Sequence, residues 1–137
     1  MLNQPTRVAI VDDDASVLKA LSRLLGTCSY RTATYRSARE FLDSLQYGMP
    51  ECLVVDMQMP EFTGLDLLHH LTHHGIQIPS IVITGHDEAG VRERCEAAGT
   101  RAYLLKPLRG EALIAAIDAA TGRERVEEAA FVPRDRD

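Results

Sequence analysis

Asp12, Asp13 and Asp14 stand together near the start of the chain, Asp56 closes the run Leu53-Val54-Val55, Thr84 closes Ile81-Val82-Ile83, and Lys106 precedes Pro107. Each follows a short apolar run that reads as a buried strand. In a parallel α/β sheet the carboxyl ends of the strands gather into one crevice, where ligands bind. Carboxylates, a hydroxyl and an ammonium brought to that rim are the parts of a divalent-metal and phosphoryl site.

Three carboxylates cannot crowd together without a counter-charge, because like charges repel and raise one another's pKa. A bound Mg²⁺ resolves the conflict, since it takes one or two carboxylates, some carbonyls and several waters. Lys106 resolves it further as a compact cation on a flexible stem. Asp14 begins a helix, so its charge suits the positive end of the helix dipole. Each residue has a plainer use when taken alone. A strand-end Asp caps a loop, Thr is common in strands, and Lys-Pro punctuates loops. The combination carries the signal. Gly85 adds to it, for it has no side chain to shield the crevice mouth.

The elements that must position these groups follow from hydrophobic periodicity. Apolar runs at 7–11, 30–34, 51–56, 79–84 and 101–105 alternate with helical patterns at 14–26, 37–47, 64–74, 88–98 and 111–121. That alternation predicts a parallel sheet with helices on both faces. The run at 30–34 is more polar and belongs nearer the sheet edge. Ser37 with Glu40 three places on matches a capping box.

The length of 137 residues suits one domain, expected over 1–121, with a charge-rich tail or linker at 122–137. A formal charge of −5 argues against a nucleic-acid contact through a basic surface. No apolar run spans a bilayer, and 1–6 is no signal peptide, so a cytoplasmic location is expected. Cys28, Cys52 and Cys95 are far apart and form no CxxC pair, which fits small buried or half-buried thiols in a reducing cytoplasm rather than disulfides or zinc. His69, His70, His73 and His74 contain two i,i+4 pairs, and a solvated helix end is preferred to a metal site there.

The motifs Val-Asp-Asp-Asp (11–14), Val-Val-Asp-Met-Gln-Met-Pro-Glu-Phe-Thr-Gly (54–64), Val-Ile-Thr-Gly-His (82–86) and Leu-Leu-Lys-Pro-Leu (104–108) closely resemble the CheY-like receiver domain of two-component response regulators. The FixJ-like and NarL-like branches look nearest. The resemblance covers 7–121 and implies a flavodoxin-like, doubly wound, five-stranded parallel sheet with five helices and strand order 2-1-3-4-5. It implies that Asp56 takes a phosphoryl group from a sensor histidine kinase, becoming an acyl phosphate. It also implies Mg²⁺ held by Asp12, Asp13, Asp56 and the backbone carbonyl of Gln58. Lys106 and Thr84 would complete the catalytic set, Thr84 would swing towards the phosphoryl group, and Tyr103 would turn inward. A cis Lys106-Pro107 bond is implied as well.

The output face would then be the fourth helix, fifth strand and fifth helix, controlling partner binding or a phosphorylation-dependent homodimer. Ala112, Ala115, Ala116 and Ala119 offer a small-residue surface there, interrupted by Glu111 and Asp118, and simple helix propensity accounts for them at least as well as a dimer seam. Val17 and the Pro107-Leu108 pair would dock the kinase's histidine-bearing helix. Gln58 and His86 would flank the pocket mouth and set how long the phosphoryl group lasts. This is a signalling switch rather than a metabolic enzyme, either stand-alone or the receiver half of a transcriptional regulator. Two alternatives are a haloacid dehalogenase-type phosphotransferase and a phosphorylation-independent pseudo-receiver. The first wants a second Asp two places after its nucleophile, where Gln58 stands; the intact Asp, Thr and Lys set argues against the second.

Overall fold

The computed structural model describes residues 5–123. The strands are β1 (Arg7–Val11), β2 (Arg31–Tyr35), β3 (Cys52–Asp56), β4 (Ser80–Thr84) and β5 (Thr100–Leu105). They form one parallel sheet in the order β2-β1-β3-β4-β5. The helices are α1 (Ala15–Gly26), α2 (Ala38–Ser44), α3 (Gly64–His73), α4 (Val91–Ala97) and α5 (Gly110–Thr121). The charged segment 124–137 lies outside the described residues. β3 and β4 are buried at every position, as strands covered on both faces must be, and the more polar β2 occupies an edge.

Alternation along the strands divides the interior into two layers. Ala9, Val11, Leu53, Val55, Val82 and Tyr103 pack with Phe41, Leu67, Leu71 and Val91 from α2, α3 and α4. Val8, Ile10, Val54, Ile81 and Ile83 pack with Leu18, Leu21, Leu25, Leu113 and Ile117 from α1 and α5.

Three local expectations change. The second helix stops at Ser44, and Leu45–Tyr47 winds on as a 3-10 turn. The fourth helix starts at Val91 rather than 88, because Gly90 adopts φ +83°, outside the helical region. At Ser37 only half of a capping box forms. Ser37 Oγ accepts from Glu40 N at 3.1 Å, but Glu40 Oε1 accepts from Arg36 N instead of Ser37 N. The reciprocal box occurs at α3, where Asp66 N donates to Thr63 Oγ1 (3.1 Å) and Thr63 N to Asp66 Oδ2 (2.9 Å).

Gly64 lets α3 begin against the end of β3. A Cβ there would lie 2.8 Å from the Asp56 carbonyl oxygen and 3.1 Å from Met57 Cα, both backbone atoms. Gly64→Ala must therefore push the helix start away, at about 1–3 kcal/mol. The urea midpoint should fall accordingly, and the chemistry of Asp56 should weaken with it.

On the opposite face Tyr30, just before β2, donates its hydroxyl to Asp118 Oδ1 in α5, while the Arg123 guanidinium lies 4.4 Å from the Tyr30 ring centroid. Both Tyr30 and Asp118 are buried. Tyr30→Phe removes a charge-assisted bond and should cost about 1.5–3 kcal/mol by urea denaturation.

Candidate functional site

Strand register brings the polar residues to one rim. Val11 pairs with Val55, so the next residues, Asp12 and Asp56, emerge level with one another. Asp56 pairs with Ile83, which puts Thr84 one step beyond. Thr84 pairs with Leu105, so Lys106 follows immediately. Its N–H donates to the Thr84 carbonyl at 2.8 Å. The Lys106-Pro107 bond is cis.

One carboxylate oxygen from each of Asp12, Asp13 and Asp56 lies within 4.8 Å of the other two. Asp12 and Asp56 are 3% and 4% exposed, whereas Asp13 faces solvent. Asp12 Oδ1 accepts from Asp14 N at 2.9 Å. Asp14 itself caps α1, accepting from Ser16 N, Ser16 Oγ and Val17 N, and these bonds hold its carboxyl below the usual range. Asp14 thus serves the helix, as its position suggested.

Burial pushes the Asp12 carboxyl up to about 6, with Asp56 and Asp13 adding repulsion against the lowering effects of the Asp14 N–H and Lys106. Burial also raises Asp56, while Lys106 and the Gln58 N–H pull it down. Lys106 Nζ stands 3.4 Å from Asp56 Oδ1. That oxygen is buried, and no hydrogen bond satisfies it among the described residues. A crowded carboxylate set with a buried, unsatisfied oxygen is the donor chemistry a hard divalent cation requires, so these residues fit Mg²⁺.

Thr84 is fully buried. Its Oγ1 lies 3.0 Å from Gln58 Oε1 and 3.0 Å from the His86 carbonyl, and accepts from His86 N. Gly85 N donates to the same Gln58 oxygen at 3.1 Å. The sequence singled out Gln58 for its carbonyl and its place at the mouth; the reach of its side chain to Thr84 and Gly85 has no signal in residue type. A Cβ on Gly85 would meet only the Lys106 side chain, at 3.8 Å, so the mouth is open there. Tyr103 is 6% exposed, with its hydroxyl buried and the Arg92 guanidinium 4.7 Å from its ring centroid.

The histidines of α3 do not converge on a metal site. His70 and His74 stack at 4.2 Å between centroids, and His74 Nδ1 meets the His70 carbonyl. The only group of metal-capable side chains among the described residues is Asp12, Asp13 and Asp56. Cys52 and Cys95 are buried thiols, and burial pushes Cys52 up to about 12, which makes it unreactive.

A five-stranded doubly wound sheet with an acidic crevice at its switch point, a strand-end Thr and a Lys-Pro define a receiver-type signalling module. The chain belongs to the response regulator receiver domain family, whose model matches residues 8–118. It is 38% identical over 120 residues to the response regulator protein TmoT of Ectopseudomonas mendocina, covering 88% of this chain and 54% of that protein. It is 35% identical over 119 residues to the transcriptional regulatory protein FixJ of Azorhizobium caulinodans, covering 85% and 55%. The FixJ-N crystal structure superposes with a TM-score of 0.80 at 33% identity, over 90% of this chain and 98% of that one. A receiver protein from Burkholderia phymatum gives 0.77 at 43% identity, over 88% and 98%. The chain spans about half the length of the curated relatives it matches. Receiver domains are in general signalling domains rather than enzymes, and no helix among the described residues is long and apolar enough to cross a membrane.

Proposed function

We propose that Asp56 is the phosphoryl acceptor of a two-component switch. The observation that carries this reading is the buried, unsatisfied Asp56 Oδ1, set between Lys106 and the carboxylates of Asp12 and Asp13. In the reaction a carboxylate oxygen of Asp56 attacks the phosphorus of a phosphohistidine on a sensor kinase. The P–N bond breaks, its electron pair stays on the imidazole nitrogen, and Asp56 becomes an acyl phosphate. Lys106 places positive charge beside the attacking group, and Thr84 with the Gly85 N–H can donate to a phosphoryl oxygen. Asp12, Asp13, Asp56 and the carbonyl of Gln58 would hold Mg²⁺, which when bound neutralises charge on the transferring group.

The haloacid dehalogenase alternative needs an acid–base carboxyl two residues after the nucleophile. Gln58 stands there with an uncharged carboxamide, which supports transfer without a dedicated hydrolytic base. The receiver unit is 1–121, and 122–137 serves as a charged tail or linker, whether the receiver acts alone or beside an effector domain. It works in the cytoplasm, where the kinase's phosphohistidine is presented. The switched surface is α4-β5-α5, with Tyr103 beneath it and the exposed Leu105, Ala115 and Ala119 on it, offered to a target or a second copy.

Intact mass after incubation with acetyl phosphate tests the reading. A phosphoryl adduct should form with Mg²⁺ and not with EDTA; absence of an adduct, with a kinase donor as well, would favour a phosphorylation-independent scaffold. Val17 and Leu108 are half-buried against the α1/α5 layer, Val17 in the first turn of α1 after the acidic triplet and Leu108 on the loop after Lys106-Pro107. Val17→Glu or Leu108→Glu should slow transfer from the kinase by about tenfold, through loss of an apolar docking contact, and spare acetyl phosphate. Equal loss with both donors would remove these residues from the docking surface.

A further inference from the structure

Gln58 is exposed on the loop after β3, yet its side chain turns back to the end of β4. Its Oε1 takes two contacts at once, Thr84 Oγ1 at 3.0 Å and Gly85 N at 3.1 Å. A backbone N–H is a donor only, so the Gln58 atom facing Gly85 is the carboxamide oxygen and not its nitrogen. One hydroxyl and one backbone N–H at the rim are also the pair that an oxygen of a phosphoryl group on Asp56 would use. Gln58 therefore sits in the acceptor position of that pair.

Thr84 is constrained from its other side too, because Oγ1 accepts from His86 N at 3.0 Å and shares its one proton between Gln58 Oε1 and the His86 carbonyl, each at 3.0 Å. Tyr103 on the neighbouring strand lies inward, in one cluster with Val82, Val91 and Cys95. Its hydroxyl is buried there with no hydrogen-bond partner among the described residues. Hydrogen bonding therefore does not hold the ring inward; packing does.

We propose that the Gln58 carboxamide oxygen is an internal stand-in for a phosphoryl oxygen, holding the Thr84 hydroxyl and the Gly85 N–H converged on one acceptor at the end of β4, with Tyr103 inward, in the unmodified chain. The inference rests on the reading of Asp56 as the acceptor. It differs from a switch in which Thr84 and Tyr103 move only on phosphorylation. A phosphoryl oxygen then exchanges for the Gln58 oxygen instead of gaining two unused donors. The differential contact energy between the two states is correspondingly small, and Tyr103 responds weakly. Gln58 is a positioning residue, acting on the phosphoryl seat through Thr84 and Gly85.

The test is amide and tyrosine-ring NMR on the full chain, comparing wild type, Gln58→Met and Gln58→Ala, each with and without beryllofluoride plus Mg²⁺. Met keeps the length of the side chain and removes the acceptor; Ala removes both, and the exposed position tolerates either. Without beryllofluoride, both variants should show the Gly85 N–H moved upfield and exchanging about tenfold faster, from the loss of one hydrogen bond. Their Tyr103 ring should become accessible to solvent. Beryllofluoride should restore both signals in the variants and change them little in wild type. Variants whose Gly85 and Tyr103 signals match wild type without the analogue would overturn the proposal, and so would a large inward movement of wild-type Tyr103 on adding it. If beryllofluoride and acetyl phosphate leave every protein unchanged, the acceptor reading fails, while the comparison without analogue still decides the Gln58 contact.

Discussion

Asp56→Asn should accept no phosphoryl group from acetyl phosphate or from a kinase, with a rate loss on the order of 10³-fold or more. An amide oxygen is a poor nucleophile, and the substitution keeps the size of the group at the end of β3. The fold should persist, since Asn at this site removes a charge from a crowded, buried carboxylate set rather than a packing contact. The control that gives the result meaning is Lys106→Ala. That variant keeps the nucleophile and loses only the cation 3.4 Å from Asp56 Oδ1, so transfer should slow without vanishing, by about 10²-fold. Intact mass over time separates the two. An adduct on Asp56→Asn that matches wild type would move the acceptor elsewhere in the chain.

Asp12→Asn should make the protein more stable at pH 7 in EDTA while removing its response to Mg²⁺. The Asp12 carboxyl rises from 3.8 to about 6 on folding, chiefly through burial. Between those values the folded chain binds more protons than the unfolded chain. Its stability therefore falls as pH rises through the window; the neutral form is favoured below it, and the full penalty is present above it. The shift corresponds to about 3 kcal/mol, and screening by water in the open crevice reduces this to about 1–2 kcal/mol. Asn keeps an oxygen for the Asp14 N–H and carries no charge, so the variant should gain that amount at pH 7 and lose the slope between pH 4 and 6. Mg²⁺ acts in the opposite sense. It should raise the Tm of wild type, more at pH 7 than at pH 5, and leave the variant nearly unchanged. Thermal scans at three pH values, with Mg²⁺ and with EDTA, measure both effects. A wild type whose metal-free stability rises from pH 4 to 7 by this contribution would mean that Asp12 is solvated rather than desolvated.

Much of this was legible because the chemistry sits where buried runs stop. Val8 to Val11, Leu53 to Val55 and Ile81 to Ile83 are too apolar to face water, so the first polar residue after each run had to mark the rim. The parallel pattern then put every rim on the same edge of the sheet. That Asp14 serves the start of α1 was legible from its place there, whereas its hydrogen bonds to Ser16 and Val17 came from the structure. The start of α4 was not, because helical periodicity from 88 carried no mark of the left-handed turn that Gly90 makes. Nor was the capping box of α3, since Asp66 replaces the longer Glu or Gln that the pattern looks for.

What the amino-acid order determined by itself is the sheet, its layered helices and the gathering of Asp12, Asp13, Asp56, Thr84 and Lys106 at one end. These follow from period, burial and chain direction, which are properties of neighbouring residues. Tertiary structure alone decided the rest: the 2.8 Å approach that favours glycine at 64, the bond from Tyr30 to Asp118, and the seat of the Gln58 oxygen on Thr84 and Gly85. The last two join residues far apart in the chain, and in all three the partners are chosen by strand register and helix packing, which no local pattern encodes.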